Sequence, residues 1–280
     1  MVALGAVLGL TVQPPLAWLV RHDGIDVVLA VLVYSTAWTI QPREFARLPA
    51  RGWRLGAALL TGAVVLPALS WVASQSVGPG PMRDGVMTVG LAPCEIASVA
   101  ITAMAAGDAA ISAGILVGST VVAIGIAGSV LHVEVGRGSI DVTGIAGTLA
   151  LVVAAPLAVG MALRPRRAVA ERVGAPTATI AVAALVAMIA AEVHLRLSYL
   201  AVLGALLTFL AGSTLVGALL GRGAMTPVAR SLLLTSSMRD FAIAAIASAA
   251  FGGPAAAPLG IYGILVMLWG TAAAGRHPLS

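Results

Sequence analysis

The sequence has no lysine, a single cysteine and few charges of either sign, and each shortage excludes something. One cysteine, Cys94, rules out an intrachain disulfide and a cysteine-rich metal site. The four histidines show no zinc spacing such as H-E-x-x-H. There is no phosphate-binding loop, which argues against ATP-driven work in this chain, and no G-x-S-x-G elbow. Charged residues make up 10% of the 280 positions, against about 25% in a soluble domain. Eleven acids and sixteen basic residues cannot supply the polar surface that a soluble chain of this size needs. What the chain has in abundance is apolar: 60% hydrophobic residues and a mean hydropathy of +1.03. Its natural solvent is lipid, so the bilayer is the first expected partner.

A formal charge of +5 suggests nucleic acid until the positions are read. All sixteen basic residues are arginine, and they lie mostly in short gaps between apolar runs, the pattern of membrane-flanking charge. No nucleic-acid partner is expected. Ten apolar runs approach the ~20 residues of a spanning helix. They run roughly over Val2–Val20, Ile25–Ile40, Leu55–Ser74, Val86–Ala106, Ala109–Leu131, Ile140–Leu163, Thr177–Glu192, Tyr199–Leu220, Ser231–Phe251 and Leu259–Ala274. Val2 has no basic stretch before it, so the first run reads as a membrane helix rather than a cleaved leader. The runs are Ala/Leu-rich and lack strand alternation, which argues against a membrane β-barrel. Eleven arginines fall on one side of this arrangement and four on the other, with Arg239 left inside a run. The arginine-rich side is expected to be cytoplasmic, and both termini with it. Lysine-free, Ala/Gly/Val-rich usage suggests a GC-rich bacterium, hence a bacterial inner membrane.

Two parts of the chain echo each other. Glu95-Ile96-Ala97 in the fourth run and Asp240-Phe241-Ala242 in the ninth are each followed by a glycine, Gly107 and Gly252, twelve residues after the acid. Fourth and ninth hold the same place in two halves of five, residues 1–131 and 140–280 of a single membrane domain. An odd number of spans per half inverts the second half, the architecture of many secondary transporters.

Charge inside a span costs at least ~2.5–3.5 kcal/mol and persists where a partner or water compensates it. Glu95, Arg239 and Asp240 are the candidates. Pro93 removes a backbone donor just before Glu95, so a broken helix is expected there, able to bind a solute or ion. A Glu95 solvated at the outer interface is the plainer alternative. Thr235-Ser236-Ser237-Met238-Arg239-Asp240 interrupts the ninth run, and its hydroxyls could satisfy freed backbone groups or ligate a cation. The alternative is a purely structural buried ion pair, and Arg239 could instead meet Glu95 from the other half. Cys94 could be a soft ligand or an inert small side chain. Asp108, at a tight turn after Gly107, reads as a helix cap.

At these residues the chain resembles the bile acid:sodium symporter family. Ala92-Pro93-Cys94-Glu95-Ile96-Ala97-Ser98 and Ala106-Gly107-Asp108-Ala109-Ala110-Ile111-Ser112 are similar to its broken fourth helix, turn and entry to the fifth. Ile40-Gln41-Pro42-Arg43-Glu44-Phe45 resembles the end of its second span. Ser237-Met238-Arg239-Asp240-Phe241-Ala242-Ile243-Ala244 falls at its second broken helix, and Phe251 and Ala255-Ala256-Ala257-Pro258 continue the likeness. The resemblance implies an all-α fold of ten helices in two inverted repeats. Spans three to five and eight to ten would form a core with crossed, broken helices four and nine, and the other four spans a panel. It implies a transporter rather than an enzyme, working by alternating access on a small organic anion. It places Cys94, Glu95, Ser98, Ser112, Thr235, Arg239 and Asp240 at the solute and ion site.

It also implies coupling to sodium, and here the sequence departs from the family. A Ser-Asn pair becomes Ser98-Val99, two hydroxyls of the fifth span become Ser112 and Leu116, a Glu becomes Thr235, a Gln becomes Arg239, and a further Gln falls on or near Gly62. Most oxygen ligands are lost, so the coupling ion is left open among sodium, a proton or none, with no other cofactor expected. Related arsenite permeases pair a Cys with an acid much as Cys94 and Asp240 would, which gives an efflux permease as the alternative solute class. An intramembrane acid/base enzyme using Glu95 or Asp240 is the alternative of a different class, and no nucleophile or metal set supports it.

Overall fold

Prolines and glycines decide where the apolar runs stop. The computed structural model describes residues 2–38, 52–135, 147, 151–152, 155–166, 169–192, 199–224, 226–240 and 257–275. The Ile40–Phe45 motif, residues 241–256 with Gly252 and Phe251, half of the sixth run and seven of the arginines used for orientation lie outside the described residues. The first run divides into α1 (Val2–Thr11) and α2 (Gln13–Arg21), because Pro14 and Pro15 cannot donate to a preceding turn. Next come α3 (Gly24–Ala37) and α4, helical from Gly52 to Ser74 with a π-helical turn over Thr61–Val65. α5 (Pro81–Leu91) begins before the expected Val86, with proline in its first turn and Gly80 ahead of it at φ 137°, a conformation suited to glycine. α5 ends because Pro93 forces the residue before it out of the helix: Ala92 is extended at φ −65°, ψ 151°. After α6 (Ala97–Met104) and α7 (Ala109–Val135) come α8 (Ala155–Ala162), α9 (Ala175–Glu192), α10 (Leu200–Leu220), α11 (Thr226–Ser237) and α12 (Ala257–Gly275). There is no strand among the described residues, only one isolated antiparallel bridge, Cys94 with Arg239.

Four described helices are long and apolar enough to cross a bilayer: Gly52–Ser74, Arg172–Ala191, Leu200–Leu220 and Pro258–Gly275. Gly24–Ala37 and Ala109–Val122 are shorter apolar helices. α4 shows what solvent they meet. Only 22% of its apolar window is buried, and Leu60, Val64 and Val72 stand exposed along it. Such a face suits lipid, not water. Trp53 and Trp71 are exposed towards the two ends of this helix. At 1.5 Å per residue they are about 27 Å apart along the axis, close to the ~30 Å hydrocarbon thickness where aromatic belts sit.

The helices pack in two groups. In one, α9 lies against α1, α2 and α3, and α8 against α3. In the other, α10 lies against α11 and α4, α4 against α5 and α7, α6 against α7 and α11, and α12 against α5, α6 and α10. α3 meets α6, and α9 meets α12, where the groups join. An apolar cleft lined by Leu32, Val33, Ile96, Val99, Leu116 and Leu157 lies at this seam.

Candidate functional site

Two helices stop and pass each other at the centre of the second group. The chain between α5 and α6 (residues 92–96) crosses the chain after α11 (residues 238–240). Glu95 N–H donates to the Met238 carbonyl at 3.0 Å, and Asp240 N–H donates to the Pro93 carbonyl at 2.9 Å. These two bonds are mirror images in register: each acid's amide bonds the carbonyl two residues before the other acid. The two acids that echo each other in the fourth and ninth runs thus lie beside one antiparallel bridge.

An unwound segment in a low-dielectric interior must place every freed backbone group. Two hydroxyls from neighbouring helices take up three more of these groups. Cys94 N–H donates to Ser119 Oγ of α7 at 3.0 Å. Arg239 N–H donates to Tyr262 Oη of α12 at 3.2 Å, and that hydroxyl donates to the Ser237 carbonyl at 3.2 Å. The residues of the bridge, Cys94 and Arg239, are thus each anchored by a hydroxyl on a helix later in the chain. Trp269, two turns after Tyr262, donates its indole N–H to Ser237 Oγ at 3.0 Å.

The side chains at the crossing are enclosed. Glu95 is 1% exposed, Asp240 1% and Arg239 3%. A Glu95 solvated at an interface is excluded by this burial. The Glu95 carboxylate accepts the Ala97 N–H at 3.3 Å, at the start of α6, where a negative charge suits the helix dipole. Arg239 extends towards α4, where its Nη2 donates to the Gly62 carbonyl at 3.5 Å. That carbonyl is available for a definite reason. In the π-turn Leu66 N–H donates to Thr61 O rather than to Gly62 O, and residue 67 is proline and has no N–H. A side chain at position 62 would crowd the guanidinium, since a Cβ there would lie 3.3 Å from Nη1. Gly62, Leu59, Pro67, Leu91, Ser119 and Arg239 line a small pocket beside it. Arg239 Nε has no hydrogen-bond partner among the described residues.

The remaining expected site residues are engaged within the protein. Ser98 Oγ lies 3.0 Å from Cys94 Sγ, so the thiol is buried and hydrogen-bonded. Ser112 Oγ accepts from Thr102 at 3.3 Å. Thr235 donates to the Ser231 carbonyl one turn back at 2.7 Å. Asp108 caps α7: its Oδ1 accepts the Ile111 N–H at 3.1 Å, and its own N–H donates to Ser231 Oγ at 2.8 Å. Arg230 donates to the Ala105 and Ala106 carbonyls at 3.1 and 3.3 Å, closing the C-terminal end of α6. Among the described residues no group of three His, Cys, Asp or Glu could hold a metal ion.

Sequence reasoning missed Ser119, Tyr262 and the Gly62 carbonyl. Leu66-Pro67, following Gly62, was the one signal on offer, because a proline inside a helix frees carbonyls in the preceding turn.

The chain finds no match among curated proteins. The profile described as Sodium Bile acid symporter family matches residues 26–203, which include Cys94, Glu95, Ser98 and Ser112 and end before α11. With more than half of its length matched in this way, the chain belongs to the sodium bile acid symporter family of membrane transporters.

Proposed function

We propose that this protein is a secondary transporter that carries a small organic anion across a bacterial cytoplasmic membrane by alternating access, with the Arg239 guanidinium as a tethered cation in place of a coupling sodium ion. The observation that carries this reading is the guanidinium itself, enclosed at the crossing of two broken helices and reaching a carbonyl freed by the Pro67 π-turn. The hydroxyls left from the expected sodium set support it. Ser98, Ser112 and Thr235 are committed to Cys94, Thr102 and Ser231, and Gly62 offers only backbone. A fixed positive charge beside unwound backbone also favours an anionic solute. The seam between the two helix groups, where α3 faces α6, is the natural surface for one group to move against the other. The two inverted repeats, with both termini on the cytoplasmic side, belong to this same reading; the matching places of Glu95 and Asp240 in the two halves support the repeat, and the arginine asymmetry supports the orientation.

The arsenite-type alternative needs a thiol that can face the solute, whereas Cys94 is buried and bonded to Ser98. The test is uptake of labelled organic anions into proteoliposomes by the wild type and by Arg239→Gln. The variant is expected to lose sodium-independent uptake. Unchanged uptake with unchanged ion dependence would refute the tethered-cation reading.

A further inference from the structure

One end of the second helix group gathers cations without acids. In the first turn of α4 the Arg54 guanidinium lies over the Trp53 ring, 5.1 Å from its centroid, and its Nη2 donates to the Gly223 carbonyl at 3.2 Å. Its Nε is buried with no hydrogen-bond partner among the described residues. Gly223 belongs to the turn that follows α10, where its φ of 69° suits glycine. Its neighbour Arg222 is exposed, and its side chain has no hydrogen-bond or ion-pair partner among the described residues. α4, α10, α11 and the turn between the last two contain no aspartate or glutamate. Asp108, whose N–H meets the Pro227 carbonyl near the start of α11, has a carboxylate oxygen on the Ile111 N–H. The lipid-facing surface begins beside these cations. The Arg54–Gly223 bond sets the start of α4 against the end of α10, and the two helices pack on each other. Trp53 is 68% exposed at this end, and Leu60 of α4 and Leu215 and Leu219 of α10 stand exposed further along.

We propose that this corner binds an anionic phospholipid, with its phosphate at Arg54 and Arg222 and its acyl chains along α4 and α10. A guanidinium offers a phosphate a planar fork of donors. Arg54 is already held by the Gly223 carbonyl and the Trp53 face, so it loses little side-chain freedom on binding. An exposed tryptophan at the end of a spanning helix belongs at the headgroup level. Charge and apolar surface together select a lipid. A free phosphate would leave the exposed leucines unused, and a zwitterionic headgroup would bring its own cation towards the arginines. A bound lipid ties α4 to the turn between α10 and α11, and α4 carries the Gly62 carbonyl that Arg239 reaches. The inference is independent of which solute the protein carries.

Tryptophan fluorescence of the full chain in phosphatidylcholine vesicles tests this, with a small fraction of brominated lipid added as quencher. The Trp53 signal is the difference between the wild type and Trp53→Phe. Brominated phosphatidylglycerol is expected to quench it at a mole fraction about tenfold lower than brominated phosphatidylcholine. Arg54→Lys keeps the charge and loses the fork, and Arg222→Gln removes the second cation. Measured in the same way, each should lose most of the preference at an unchanged unfolding temperature, and either serves if the other fails to fold. Arg83→Gln, beside Gln75 beyond the far end of α4, should keep it. Equal quenching of the wild type by the two lipids would overturn the proposal. A preference that both Arg54→Lys and Arg222→Gln retain would also overturn it, since general surface charge would then suffice. So would a preference abolished by millimolar inorganic phosphate, which would mean a phosphate site without a lipid. Organic-anion transport stands or falls separately, because no solute enters the measurement.

Discussion

Tyr262→Phe removes one oxygen from the crossing and leaves the ring in place against Phe209, whose centroid lies 6.0 Å away. The lost hydroxyl served two backbone groups, the Arg239 N–H and the Ser237 carbonyl, each at 3.2 Å. A buried polar group left without a partner costs about 1–3 kcal/mol. The segment after α11 can relax to recover part of this, and a net cost of about 2 kcal/mol confined to the crossing raises its local opening about 30-fold. The single cysteine makes this measurable without engineering, because Cys94 is the bridge partner of Arg239 and is fully buried. The rate of Cys94 alkylation by N-ethylmaleimide in native vesicles, under conditions where opening limits the reaction, should rise by about that factor. Global thermal unfolding should change much less. A rate equal to the wild type would refute the assignment of Tyr262 as the anchor of this segment, and so would a rise fully explained by global unfolding.

Other substitutions probe the same framework. Gly62→Ala places a methyl 3.3 Å from Arg239 Nη1 and should lower uptake at near-normal unfolding temperature; unchanged uptake would show that the guanidinium need not sit there. Asp108→Ala should cost about 1 kcal/mol in thermal unfolding by uncapping α7, while Asp108→Asn keeps an oxygen for the Ile111 N–H and should cost less. Arg230→Ala frees two carbonyls at the end of α6 and removes a cation from that helix's negative pole, a loss of about 1–2 kcal/mol readable in the same unfolding assay.

The sequence announces the breaks more clearly than their anchoring. Pro93 dictates its own consequence locally, since it removes a donor and pushes Ala92 into extended backbone. The polar stretch from Thr235 to Asp240 marks the second break for a similar reason: an apolar helix has no other use for it. The Asp108 cap is also local, three residues from the amide it accepts. Ser119 and Tyr262 are different. A serine in an apolar helix reads as bonded to its own preceding turn, which Ser119 also does through the Leu116 carbonyl. A tyrosine in an apolar helix reads as core. That each hydroxyl also completes a break 23 or 25 residues earlier is a property of helix packing, and no local pattern encodes it. The reach of Arg239 was likewise hidden. Its sequence neighbour is Asp240 and its half-repeat counterpart lies beside Glu95, yet its guanidinium goes to α4, because a proline there leaves a carbonyl without a backbone donor.

The most direct measurement is uptake of labelled organic anions into proteoliposomes of the wild type, with sodium and proton gradients imposed separately. Uptake indifferent to sodium, whether driven by a proton gradient or by neither gradient, is the expected result, and it would make Glu95 and Asp240 the residues to follow. Uptake driven by sodium alone would contradict the account, because it would mean that a ligand shell has been rebuilt and that Arg239 does not stand in for the ion.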